Sequence, residues 1–563
     1  MSYSGISVRE AMEKLNIPNG GWHLPYIQRQ YVWGARYASE EYVCLLLDSL
    51  VKRYPIGGLV LWETEKPVSY REFLDDYEPG TFAKQVDEGR KGAYKFLVYD
   101  GQQRLQTLRS VLYYTFNGRV LHFNLLFDDA SKKVSDETGF LFRDKGAPPD
   151  PRYLKLTKLC SARCDAGVKV KMEYEVLRNL RQVQQIDEST EMLIRKNLAA
   201  LWDTFVDTNV KSIAYFSVKA EDEALVNEVF RRLNIGGVAL TQTELVLGEI
   251  KKRNASYEEQ LWGISERIRN KSNIEFSSAE VLQFFHLMER GTTRVDASRF
   301  NGDDADRFLM ALEYQDALLE LFEGYLWGLF KINHAFIVPR WLAVLPLAIY
   351  LTALKRAGRK WRVKELTSEQ ISTMHTYFLL AQFCDWNTQT MVNTFAKFAA
   401  EAGGAGAALP VETIRQFAIQ KNRTGLLSYQ QFLALPWLAL KVLMPSRSYV
   451  FHENKPQLDH VFPKGLKGAD DAYGALVDVL WNLQPIPDGI NNYKRARHPK
   501  EFFNSSDGAK YWHEYDFIPE RQSPIWDDPA RFIQHREERM RQALLELYGL
   551  RFEQVGVTRI AAA

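Results

Sequence analysis

An α+β fold is predicted, with a mixed α/β N-terminal region, a helical middle and a small C-terminal region organised around an Asp-His pair. Three observations carry that expectation. Roughly residues 1–130 alternate helical apolar spacing with short β-branched and aromatic runs. Residues 221–445 are dominated by helical spacing. Residues 446–525 hold Asp459-His460, then Asn482, then Asn491 and Lys494.

Taken in chain order, residues 8–16 and 39–53 show the apolar spacing of helices, and 57–62, 94–99 and 120–127 read as buried strands. Between two of those strands, residues 68–92 are acidic and glycine-containing, the mark of an exposed excursion. Residues 131–220 are mixed and end in a strand at 212–218. Residues 221–234 place Leu225, Val229 and Leu233 on one helical stripe. Thr241, with Glu244 three residues on, has the pattern of a capping box. Residues 341–354 are apolar but short and interrupted by Pro346, which suits a buried helix better than a membrane span. Gly403-Gly404-Ala405-Gly406 marks a flexible connection, and residues 529–550 close with an amphipathic helix. Three domains follow, at 1–220, 221–445 and 446–563. The helical region and the 529–550 helix leave surface for a homodimer.

At 563 residues the chain exceeds one ordinary core, and about three or four domains is the prior. A hydrophobic content of 46% with 25% charged residues excludes a disordered chain, and no apolar run is long enough to span a membrane. The N-terminal residues lack a basic-then-apolar signal, so a cytoplasmic location is expected. Cys44, Cys160, Cys164 and Cys384 are too few for a disulfide framework. Cys160 and Cys164 resemble half a zinc site but have no second Cys/His pair at finger spacing. A net charge of +2 means that any nucleic-acid surface is a local patch.

Two constellations carry chemistry. In the first, an apolar run enters Asp100-Gly101-Gln102-Gln103-Arg104 and continues with helical spacing. Glycine permits a sharp turn, a new helix offers amides to an anion, and arginine can grip phosphate. Alone, such a turn is more often structural. Here it is accompanied by Gln28-Arg29-Gln30-Tyr31-Val32-Trp33, by Tyr54-Pro55-Ile56-Gly57-Gly58, and by Arg231-Arg232-Leu233-Asn234 before a Gly-Gly pair. Arginines flanked by aromatics suit a nucleotide or a nucleic-acid base. In the second constellation, neutral His460 can take a proton from water near pH 7. Asp459 and an asparagine oxygen are hard ligands for Mg²⁺ or Mn²⁺.

The order of these segments resembles the GmrSD-type family of modification-dependent (type IV) restriction enzymes, which includes the BREX-associated BrxU proteins and the phosphorothioate-sensing SspE proteins. The similarity spans both ends and the helical region between them. It implies a ParB/sulfiredoxin-like N-terminal domain that binds and hydrolyses GTP or ATP. Asp100, Gly101, Gln102, Gln103 and Arg104 would line its nucleotide site, with Gln28, Arg29, Arg232 and Asn234 at further nucleotide-site positions. The C-terminal motif resembles the HNH (ββα-metal) nucleases, implying a first strand at 458–461 and a helix opening at 491–497. On that resemblance His460 is the general base, Asp459 and Asn491 hold the metal, and Asn482 braces the loop carrying the base. Asn491 is preferred to Asn492 because it lies nine residues after Asn482 and three before Lys494. Lys494, Arg495, Arg497 and Lys500 would hold the DNA backbone. The zinc-binding cysteine pairs of many HNH domains are absent, so helices must support the site.

The resemblance implies a cytoplasmic endonuclease of anti-phage defence. It would nick or cut modified phage double-stranded DNA under control of a bound nucleoside triphosphate. Two rival readings stand beside it: a ParB-like, nucleotide-gated DNA-binding switch without cleavage, and a toxin-type RNase.

Overall fold

The computed structural model describes residues 2–26, 40–86, 92–128, 137–219, 241–334, 337–445, 447, 456–466 and 477–548. Two compact units emerge, one of residues 1–257 with 297–300, the other of residues 258–296 with 301–563.

The first unit contains ten strands among the described residues: β1 (Ser2–Ile6), β2 (Trp22–Pro25), β3 (Leu59–Thr64), β4 (Tyr70–Arg71), β5 (Gln85–Val86), β6 (Lys95–Asp100), β7 (Arg119–Asn124), β8 (Phe140–Asp144), β9 (Tyr153–Lys155) and β10 (Ile213–Lys219). Seven form a mixed sheet in the order β1-β10-β3-β6-β2-β4-β5, and β8-β7-β9 form a second sheet. The central pair, β3 and β6, runs antiparallel with Val60 opposite Asp100 and Leu61 opposite Val98, so the register shifts by one residue at Tyr99. A shift of that kind re-aims the strand end that carries Asp100.

Alternation along these strands builds two cores, because successive side chains leave a strand on opposite faces. Leu61 and Val98 join Leu105, Leu108 and Leu112 of the helix Gln102–Tyr113 in the larger one. Trp62, Leu97 and Tyr99 gather with Tyr70 on the other face. The expected strands at 57–62, 94–99 and 120–127 shift by one or two residues at their starts. Gly57, at φ +82°, belongs to the turn before β3. The expected helices are Val8–Lys14 and Glu40–Val51, the first opened by a Ser7–Glu10 capping box. Residues 221–234 lie outside the described residues. The Thr241–Glu244 capping box forms as the spacing predicts: Glu244 N–H donates to Thr241 Oγ1 at 3.2 Å, and Thr241 N–H to Glu244 Oε2 at 2.7 Å.

The second unit is mainly helical. Residues 341–354 form a 3₁₀ turn, Trp341–Val344, followed by the buried helix Leu345–Arg356. Pro346 sits in its first turn, where the missing N–H costs nothing. The expected flexible connection at 403–406 is instead the end of a helix, Gln389–Ala405, capped by left-handed Gly406 at φ +74°. Gly403 is needed for close packing, since a Cβ there would lie 2.7 Å from the Tyr350 carbonyl oxygen. Its glycines serve helix contact and termination rather than flexibility. Among the described residues no helix is long and apolar enough to cross a membrane. All four cysteines are free thiols.

Within this unit β11 (Pro456–His460) pairs antiparallel with β12 (Leu483–Pro487), followed directly by the helix Asp488–Lys494. That helix starts three residues earlier than the sequence suggests, so Asn491 falls in its middle. Pro529–Tyr548 supplies the amphipathic helix, burying Phe532, Arg536, Met540 and Leu544 at four-residue intervals.

Candidate active site

The strand–strand–helix segment brings Asp459, His460 and Asn491 to one open cleft of about 530 Å³, which Lys464, Asn492 and Arg495 also border. Asp459 and His460 end β11 and so leave it on opposite sides. Asp459 is 5% exposed and accepts two hydrogen bonds at Oδ2, from Lys494 Nζ at 2.7 Å and Tyr515 OH at 2.8 Å. Lys494 is fully buried, and its ammonium also donates to the His460 carbonyl at 2.6 Å. Burial pulls the Lys494 pKa down while Asp459 opposes it. Tyr515 is held neutral, first by burial and then by the Asp459 carboxylate.

His460 faces a partner that motif reading missed. Its Nε2 lies 2.9 Å from Asp478 Oδ1, which also accepts from Lys464 Nζ at 2.6 Å. The Lys464 hydrogen bond is the largest influence on the Asp478 carboxyl. It holds that carboxyl below its ordinary range, against slight burial and with help from His460. No spacing rule would have found Asp478, because it reaches His460 across eighteen residues of chain.

Asn482 is wholly buried and clamps the chain after His460. Its Oδ1 accepts from Phe462 N–H at 2.9 Å, and its Nδ2 donates to the carbonyls of Phe462 at 3.0 Å and Val477 at 2.9 Å. A second brace comes from Arg536, also fully buried. Its Nη1 donates to the carbonyls of Trp481 at 2.8 Å and Leu483 at 2.7 Å, and Nε to that of Asp516 at 3.0 Å. These bonds satisfy backbone groups that would otherwise be stranded in a dry interior. The helix Pro529–Tyr548 thus braces the backbone on both sides of Asn482.

Asn491 donates through Nδ2 to Gln457 Oε1 at 2.7 Å, which commits its nitrogen end and not its amide oxygen. Among the described residues no cluster of three or more His, Cys, Asp or Glu side chains is placed to hold a metal. One carboxylate and an amide oxygen beside an open cleft still fit Mg²⁺, which commonly keeps several waters and takes substrate oxygens.

The expected DNA-binding residues divide. Arg495 and Arg497 are exposed, Arg495 on the cleft and Arg497 over the Tyr493 ring at 4.7 Å. Lys500 is paired with Asp527 at 2.6 Å. Lys494 departs from the expectation altogether, because the buried ion pair with Asp459 withholds it from any backbone phosphate. A run of cations in sequence does not reveal which one the helix turns inward.

In the first unit, Asp100 ends β6, Gly101 turns with φ +89°, and the helix Gln102–Tyr113 begins with no side-chain cap. A Cβ on Gly101 would lie 2.1 Å from Leu59 Cδ2, so only glycine fits. Gln102 and Gln103 are buried and Asp100 is half-exposed. Arg104 donates to the carbonyls of Ile56, of Gly57 at 2.6 Å and of Gly58 at 3.1 Å, with Asp100 Oδ2 3.4 Å away. Burial lowers the Arg104 pKa and Asp100 opposes that. In this arrangement Arg104 donates to the turn before β3.

Residues 11–251 match the family model for the GmrSD restriction endonuclease, N-terminal domain. The match likens residues 11–251, less than half of the 563-residue chain, to the N-terminal domain of a restriction endonuclease family. No curated protein matches the chain. Gln28, Arg29, Arg232 and Asn234 fall inside the matched range but outside the described residues. The cleft around His460 lies beyond the matched range, so its reading rests on its own geometry.

Proposed function

We propose that this protein is a modification-dependent DNA endonuclease in which an HNH-type, metal-dependent site hydrolyses phosphodiester bonds and nucleotide binding by the GmrSD-type domain regulates it. The observation that carries the reading is the convergence of Asp459, His460 and Asn491 on one cleft of a strand–strand–helix unit, with Arg495 at its edge.

Asp459 and Asn491 would hold Mg²⁺ or Mn²⁺. Such an ion, when bound, neutralises charge on the scissile phosphate. His460 takes a proton from the attacking water, whose oxygen forms the new bond to phosphorus as the bond to the leaving oxygen breaks. Lys494 and Tyr515 fix the Asp459 carboxylate through its Oδ2. Arg495 contacts backbone phosphate without reading sequence. In the GmrSD-type domain, an uncapped helix start behind Gly101 suits an anionic phosphate. Arg104 serves that site by fixing the Ile56–Gly58 turn beside it. An unregulated nuclease would cut host DNA, so nucleotide and modified DNA must bias different states of the chain.

The test is a cleavage panel of modified and unmodified plasmid and phage DNAs, with RNA as a control, with and without GTP or ATP. Cleavage should need Mg²⁺ or Mn²⁺, stop with chelator, and be abolished by His460→Ala while DNA binding persists. Unchanged cleavage by that variant would remove the nuclease assignment. Cleavage confined to RNA would replace the DNA substrate.

A further inference from the structure

Asp478 belongs to no nuclease motif, yet its carboxylate sits 2.9 Å from the imidazole of His460. The contact is anchored from both sides. Lys464 grips the same oxygen at 2.6 Å. Asn482 ties the Val477 carbonyl and both polar groups of Phe462, so one buried amide fixes the chain beside Asp478 and the chain beside His460 together. An aspartate carboxyl is ionised across the neutral range, and the Lys464 ammonium favours that form further.

An ionised carboxylate only accepts hydrogen bonds. The imidazole nitrogen that faces it must therefore carry the proton, and in the neutral ring the other nitrogen then holds the lone pair. We propose that Asp478 is a positioning residue for His460: it locks the ring as the Nε2–H tautomer and turns Nδ1 toward the proton that must be removed. In the reaction a proton passes from water to Nδ1, and the water's electron pair forms the bond to phosphorus. The bond from phosphorus to the leaving oxygen then breaks, and its electron pair departs with that oxygen. The imidazolium so formed is stabilised by the Asp478 charge at Nε2. This inference rests on the reading of His460 as general base. Because the Asp478 side chain is 65% exposed, solvent screens part of its effect, and the loss on removing it is tens-fold rather than thousands-fold.

The test uses the full chain with Mg²⁺ and compares Asp478→Asn, Asp478→Ala and Asp478→Glu with wild type and His460→Ala. The Asn and Ala variants should lower kcat about 10–100-fold with KM nearly unchanged, and the Glu variant should recover most of the loss. Histidine-selective ¹⁵N spectra supply a readout independent of turnover. The signal missing from His460→Ala should show protonated Nε2 in wild type and a tautomer mixture in Asp478→Ala. A wild-type kcat for Asp478→Asn, a loss confined to KM, or an unaltered His460 spectrum in Asp478→Ala would each overturn the proposal. If His460→Ala still cleaves, the general-base reading falls and the catalytic part of the proposal with it, while the spectra still decide whether Asp478 sets the tautomer.

Discussion

Replacing Lys494 by Met keeps a long unbranched side chain and removes its charge. The wild-type ammonium is fully buried, 2.7 Å from Asp459 Oδ2 and 2.6 Å from the His460 carbonyl. The variant leaves a 95%-buried carboxylate to which the Tyr515 hydroxyl still donates, and it deprives the His460 carbonyl of the ammonium. Breaking a buried ion pair from one side costs about 3–5 kcal/mol. Asp459 borders an open cleft, where water can reach part of its charge, so the lower end applies, about 3 kcal/mol. For a unit of a few hundred residues, each kcal/mol moves the melting temperature by about 2–4 °C, giving a drop of about 6–12 °C. Calorimetry of the full chain should show that drop in the transition of the second unit, with cleavage lost as well. Adding Asp459→Asn to Lys494→Met removes the stranded charge and should restore much of the stability, the coupling expected of a direct pair. A single variant that melts with wild type, or a double variant no more stable than the single one, would refute the reasoning.

Two further outcomes probe the first unit. Gly101→Ala puts a Cβ 2.1 Å from Leu59 Cδ2 at a left-handed φ of +89°. Backbone strain of about 1–2 kcal/mol and overpacking of about 1–3 kcal/mol should lower this unit's melting temperature and weaken the proposed nucleotide binding, measured by titration calorimetry. Glu10 has its pKa lowered to about 2. Burial pushes the other way and is outweighed by hydrogen bonds from Lys211 and from Ser7. A depressed carboxyl contributes stability above its ordinary pKa of 4.5 that is lost as the pH falls toward about 2. Glu10→Gln should therefore be less stable than wild type at neutral pH, with the gap closing as denaturation curves are taken from pH 4.5 downward. A gap independent of pH would deny the carboxylate that role.

Local rules carried much of the element order. The Ser7 and Thr241 boxes obey short-range hydrogen-bond patterns that need no tertiary context. The alternation around Leu61 and Trp62 likewise marks a strand buried on both faces. What stayed illegible is any contact whose partner is distant. The five residues around Arg104 do not reveal that it donates to carbonyls some forty-six residues earlier. Lys494 looks solvent-bound in a basic run, and only the pairing of β11 with β12 turns Asp459 toward it. Gly403 carries no sign of a neighbouring helix, so crowding against Tyr350 was invisible. Asp478 is an ordinary loop acid until the strand pair brings His460 beside it.

Arg536 stitches the carbonyls on either side of Asn482 from a helix some fifty residues downstream. During synthesis, β11, β12 and Asn482 leave the ribosome while those carbonyls still want for their guanidinium. Both carbonyls gain that partner only once residues 529–548 emerge. A translation product broken off before that helix would carry Asp459, His460 and Asn491 and yet lack the guanidinium that satisfies the Trp481 and Leu483 carbonyls.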